Sequence, residues 1–134
     1  MEKIWKQMYK AAIAVQKERQ ISDYVSAGGV AAAVLSKNGK IYTGVCIDTC
    51  CTLGICAERN AIFNMITNGE TEIIKIIAIT GNGKCGAPCG ACRELMIQLM
   101  PKNYKDIEIM SDFESGRICL LYTSDAADDL IGVD

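Results

Sequence analysis

The stretch from Ile73 to Thr80 is nearly continuous apolar sequence, the pattern of a central strand covered on both faces. A chain built around such a strand must also supply helices with one apolar side. Residues 2 to 20 fit, because Ile4, Met8, Ala11, Ala12 and Val15 recur at three- and four-residue steps with no glycine or proline between them. Val30 to Leu35 and Ile41 to Ile47 read as strands joined by Ser36-Lys37-Asn38-Gly39-Lys40, whose Asn-Gly pair is expected to supply the positive φ angles of a tight hairpin. A second helix is predicted from Cys56 to Thr67, stopping at Asn68-Gly69, and a third from Cys89 to Met100, stopping at Pro101. Ile107 to Met110 and Arg117 to Leu121 complete the strands. The order predicts a three-layer α/β/α domain with a mixed, five-stranded sheet.

At 134 residues, half of them apolar, the chain can bury one core but is short for two domains. Fourteen basic and sixteen acidic residues leave a net charge of -2, with no basic run to neutralise a phosphate backbone, so nucleic acid is not an expected partner. No basic-then-apolar start and no run of eighteen apolar residues is present, so no membrane association is expected and the protein is read as soluble and cytoplasmic.

Eight cysteines stand beside no histidine at all. Four disulfides would need an oxidising compartment that nothing in the sequence announces, so metal-binding or catalytic thiols are the better reading. Without imidazole, Ser-His-Asp and Cys-His mechanisms are excluded within one chain, and proton transfer falls to carboxylates or metal-activated water. Cys56 and the pair Cys89 and Cys92 fall at predicted helix N-termini, where unpaired N–H groups and the helix dipole favour thiolate, the metal-binding form. Three thiolates are the count of a catalytic zinc that keeps a fourth position open to water, one ion per chain. Glu58, two positions beyond Cys56, lies within the same helical turn and is the candidate proton carrier.

Cys56-Ala57-Glu58 and Pro88-Cys89-Gly90-Ala91-Cys92 resemble the zinc deaminase signature, with cysteine in place of histidine in the first block. The longer blocks Cys56-Ala57-Glu58-Arg59-Asn60-Ala61-Ile62-Phe63 and Pro88-Cys89-Gly90-Ala91-Cys92-Arg93-Glu94 are similar to those of the all-cysteine, typically tetrameric cytidine deaminases, over roughly residues 1 to 118. The resemblance implies hydrolytic deamination of a small-molecule amino-pyrimidine, cytidine or deoxycytidine, by a homo-oligomer with zinc on Cys56, Cys89 and Cys92. It implies Glu58 as the catalytic carboxylate and Arg59 as the arginine that hydrogen-bonds ligand sulfurs. Substrate contacts carried over by position are Cys46, Asp48 and Ala57. Cys46 and Asp48 stand where the family has a ribose-binding asparagine and glutamate, and Gly28 aligns with its base-stacking phenylalanine. These departures affect the substrate more than the reaction. Blasticidin S deaminases share the three-cysteine site and keep a second substrate class open.

Two readings of other classes stand beside this one. Cys51 could complete a closed structural zinc site with Cys56, Cys89 and Cys92, or Cys89-Gly90-Ala91-Cys92 could be a redox pair, although neither gives Glu58 a task. Cys46, Cys50 and Cys51 are otherwise expected as buried apolar filler, Arg93 as a helix-surface charge, and Phe63 and Met65 as core or subunit-interface residues. Residues 119–134 are set apart as a C-terminal tail. The run from Cys119 to Asp129 resembles a translated sequencing adapter, that is, non-native read-through, with a native strand and acidic tail as the alternative.

Overall fold

Strand β4 (Ile73–Ile79) sends Ile76 and Ala78 into one core and Ile77 and Ile79 into another, as a period of two demands of a strand covered on both faces. Its neighbour β2 (Ser26–Ser36) divides in the same way, with Ala32 and Val34 on one side and Ala31, Ala33 and Leu35 on the other. Helix α1 (Lys3–Val15) closes the second core with Trp5, Met8 and Ala12. Helices α2 (Ala57–Thr67) and α3 (Gly90–Leu99) close the first with Ala61, Ile62, Met65 and Met96. The three-layer α/β/α arrangement expected from the sequence is therefore present in the computed structural model, which describes residues 1–121.

The main sheet runs β3 (Ile41–Asp48), β2, β4, β5 (Glu108–Asp112), β6 (Arg117–Leu120). β2 is antiparallel to both its neighbours, β4 and β5 are parallel, and β6 returns antiparallel, so the sheet is mixed. A sixth strand, β1 (Arg19–Gln20), adds two residues against Ser26 and Ala27. Sequence periodicity predicts helix through residue 20, but α1 ends at Val15. Beyond it Lys17-Glu18-Arg19-Gln20 offers no apolar side to bury, and the Gln16 amide instead donates to the carbonyls of Gly28 and Gly29 at 3.3 and 3.1 Å.

The β2–β3 hairpin also departs from expectation. Gly39 alone in the connection has a positive φ (84°); Asn38 does not. The Gly39 N–H donates to Ser36 O at 2.9 Å, which is the geometry of a turn followed by a left-handed glycine rather than of a two-residue turn with both angles positive.

Two contacts fix α2 on β3. Asn60 Nδ2 donates to Val45 O at 3.0 Å and Asn64 Nδ2 to Thr43 O at 3.1 Å. Gly44 lets the helix backbone approach so closely that a Cβ there would overlap the Ala61 amide nitrogen. At the other end of the sheet Lys75 is buried over the Trp5 ring, bonded to Glu108 at 2.5 Å and to Glu2 at 3.4 Å. Cys119 and Leu121 are buried at the end of the described chain. Of the expected tail, residues 119–134, Cys119 and Leu120 lie in β6, and residues 122–134 lie outside the described residues.

Candidate metal centre and active site

β3 ends at Asp48 and β4 at Ile79, and the two following loops carry the chain to the starts of α2 and α3. Both helices begin beside the same cleft, of about 510 Å³, a usual size for a small-molecule site. Cys56 is the residue immediately before α2 and Cys89 the one before α3, both with extended backbone. Cys92 lies one turn into α3 and is buried.

The three sulfurs converge. Cys56 Sγ is 3.3 Å from Cys89 Sγ, which is 3.4 Å from Cys92 Sγ, and all three lie within 4.8 Å of one another. No other group of three metal-ligating side chains is found among the described residues. Burial pushes the Cys56 thiol up, against the pull of Arg59, and pushes Cys92 up strongly, helped by the nearby Glu58 carboxylate. Burial also acts on Cys89, but the N–H of Cys92 and the neighbouring thiols outweigh it and hold Cys89 below its ordinary 9.0. Three converging cysteine sulfurs are a donor set suited to a soft-accepting divalent cation such as zinc. Arg59 supports this fit: its Nη2 donates to Cys56 Sγ at 3.6 Å, while its buried Nε has no partner.

Glu58 lines the same cleft, 6 % exposed, and burial lifts its carboxyl above the usual carboxylate range. Asp48, Cys46 and Ala57 also line it, alongside Val30, Thr80 and Ala87, which sequence reasoning did not single out. The Cys46 thiol is already occupied. Val30 N–H donates to its sulfur at 3.2 Å, and it points at Asp48 Oδ2 at 3.8 Å.

Several expectations are corrected. Cys50 and Cys51 are exposed, not buried filler, because they sit on the loop after β3; Cys46 is half-buried. Cys51 lines the cleft but lies outside the sulfur cluster, next to Thr49, so a four-cysteine site is not assembled. Arg93 is buried rather than a surface charge, since its Nε donates to Pro88 O at 3.1 Å and draws the guanidinium inward. Gly28 is not among the residues lining the cleft; its φ is 86° and a Cβ would overlap Lys17 O, so the backbone itself excludes an aromatic there. Met65 is fully buried, whereas Phe63 is exposed on the outer side of α2.

Residues 3–105, which hold all three sulfurs and Glu58, match the family model described as the cytidine and deoxycytidylate deaminase zinc-binding region. The chain belongs to this deaminase family. Among curated relatives of the deaminase family, the cytidine deaminase of Halalkalibacterium halodurans is 35 % identical over 78 residues, 57 % of this chain and 58 % of that protein. A blasticidin-S deaminase of Bacillus cereus is 30 % identical over 89 residues, 60 % of this chain and 64 % of that one. The chain thus spans less than two thirds of the length of each of these two relatives. The crystal structure of cytidine deaminase from Mycobacterium leprae superposes with a TM-score of 0.70 at 25 % identity, covering 90 % of this chain and 96 % of that one. Zinc is the metal of the family's matched region, and Cys56, Cys89 and Cys92 are the cluster that can hold it. Among the described residues no helix is long and apolar enough to cross a membrane.

Proposed function

We propose that the protein is a zinc-dependent hydrolase that deaminates cytidine or deoxycytidine to uridine or deoxyuridine, releasing ammonia. The observation that carries this reading is the convergence of three cysteine sulfurs at the starts of two helices in the cleft that also buries Glu58. Cys56, Cys89 and Cys92 hold the ion. Zinc, when bound there, acts as a Lewis acid that makes water a competent nucleophile near neutral pH.

Glu58 moves the protons. Its carboxylate accepts one from the attacking water and delivers it to the ring nitrogen next to the amino-bearing carbon. Burial raises its carboxyl above the usual carboxylate range, which favours proton uptake. Arg59, bonded to Cys56, offsets the negative charge of the sulfurs. Asp48 accepts a hydrogen bond from a substrate hydroxyl, while Cys46 and Ala57 form wall.

Charge selects the substrate class. Asp48 and Glu58 are acidic, and Arg59, the one cation among the described residues lining the cleft, is engaged with Cys56. A cleft of this kind favours an unphosphorylated nucleoside over a nucleotide. A blasticidin-like substrate is the second reading, favoured by the occupied Cys46 thiol and the backbone at Gly28, which leave the sugar and base contacts of the nucleoside enzymes unfilled.

Residues 1–118 are the deaminase domain and 119–134 a tail in this reading, and sequencing the genomic locus tests whether that tail is native. The protein acts in the cytoplasm, in pyrimidine salvage, as a homotetramer; exposed Phe63 and Ile66 on the outer side of α2 support self-association. Ammonia release from cytidine, deoxycytidine, deoxycytidylate and blasticidin S, with zinc counted per chain, tests the proposal. Zinc-dependent release from a nucleoside supports it, release from blasticidin S alone supports the second reading, and silence on all four with zinc bound rejects both.

A further inference from the structure

Arg93 is 5 % exposed, and among the described residues its guanidinium makes a single hydrogen bond: Nε donates to Pro88 O at 3.1 Å, while the buried Nη1 and Nη2 have no partner there. A charged group kept in the interior with two of its three nitrogens unpaired is costly, so the one bond it does make calls for a reason. Pro88 is the residue directly before Cys89, and Arg93 is the residue directly after Cys92. The backbone N–H of Arg93 also donates to Cys89 O at 3.0 Å. The bonds enclose the start of α3: one residue holds the carbonyl before the first sulfur ligand, the carbonyl of that ligand and, through the chain, the second ligand.

We infer that Arg93 is a positioning residue for the metal centre, a clamp that fixes the Pro88–Cys89 segment so that Cys89 Sγ stays beside Cys56 and Cys92. The inference rests on the zinc-site reading above. Arg59 and Arg93 divide the work between them, Arg59 touching a sulfur directly and Arg93 holding the backbone from which another sulfur projects. Proline contributes too, since its fixed φ leaves the Pro88 carbonyl fewer directions in which to drift once it is held.

The test uses the zinc-loaded full chain. Zinc release to a chromogenic chelator is timed for wild type, Arg93→Met, which keeps the length of the stem but cannot donate, and Arg93→Lys, which keeps a donor and the charge. Folding is checked by circular dichroism before each run. Arg93→Met is expected to lose zinc affinity by about 10- to 100-fold, as for other groups that orient metal ligands, with Arg93→Lys recovering part of the loss. The cobalt(II)-substituted Arg93→Met protein is expected to show shifted sulfur-to-metal absorption. If Arg93→Met does not fold, Arg93→Lys carries the test with the same sign and a smaller effect. A folded variant that releases zinc at the wild-type rate with an unchanged cobalt spectrum overturns the inference and leaves the zinc site itself intact. A wild-type chain that binds no zinc overturns both.

Discussion

Cys56 Sγ and Cys89 Sγ lie 3.3 Å apart although 33 residues separate them, because each is the residue at which a helix begins on the same side of the sheet. A metal bridging these sulfurs ties two helices together. Cys89→Ala is therefore expected to lower bound zinc from one per chain to none and to lower the melting temperature in the same protein, since metal binding and folding are coupled. Metal analysis and a thermal melt check it, and a mutant that retains one zinc argues against Cys89 as a ligand.

Glu58 lies in the same cleft but outside the three-sulfur cluster. Glu58→Gln keeps the shape and the burial but loses the proton carrier, so zinc content should stay at the wild-type level while the deamination rate falls by roughly 10²- to 10⁴-fold. Ammonia release measured beside zinc content separates the two effects. Near wild-type activity would remove Glu58 from the mechanism.

Gly44 is where α2 rests on β3, and a methyl group there would meet the Ala61 amide. Its φ is ordinary, so the penalty for Gly44→Ala is steric. The substitution should destabilise the chain by about 1–3 kcal/mol in denaturant unfolding, as overpacking does. Because the same contact seats Glu58 and Cys56, activity should fall by more than the loss of folded protein explains.

Tyr42 Oη donates to Glu70 Oε2 at 2.6 Å, linking β3 to the segment that follows α2. That bond holds the Glu70 carboxyl below its ordinary 4.5 and the Tyr42 hydroxyl above its ordinary 10.0. A depressed carboxylate contributes stability that is present above its unfolded value and lost as pH falls through the folded one. A raised phenol contributes stability that is lost as pH climbs past its folded value. Tyr42→Phe should thus be less stable than wild type between roughly pH 6 and pH 9, with the gap closing below about pH 4 and again above about pH 10. Urea unfolding across that range reads it, and a gap independent of pH would assign the Tyr42 effect to packing.

Spacing made Cys56, Glu58, Cys89 and Cys92 visible in the sequence because a helix start and a two- or three-residue step fix where a side chain falls on a turn, whatever the rest of the chain does. The layer order was visible for a similar reason: Ile73–Ile79 has no polar side to give to water. What could not be read depends on contacts between distant residues. Arg93 looks like any charge on a helix until Pro88 O is seen to take its Nε. β1 is two polar residues whose only qualification as a strand is the edge of β2 beside them. Gly28 aligned with an aromatic in other deaminases, yet the local backbone turns it against Lys17.

The two halves of the sulfur cluster also differ in how they come together. β2, β3 and α2 follow one another in sequence and pack on one another, so contacts of short separation can bring Cys56, Glu58 and Arg59 into place early in folding. Cys89 and Cys92 arrive on a helix that must first be carried past β4, closing a long loop against chain entropy. A metal held by Cys56, Cys89 and Cys92 would then join a part of the molecule built from neighbouring elements to one that is carried in from further along the chain.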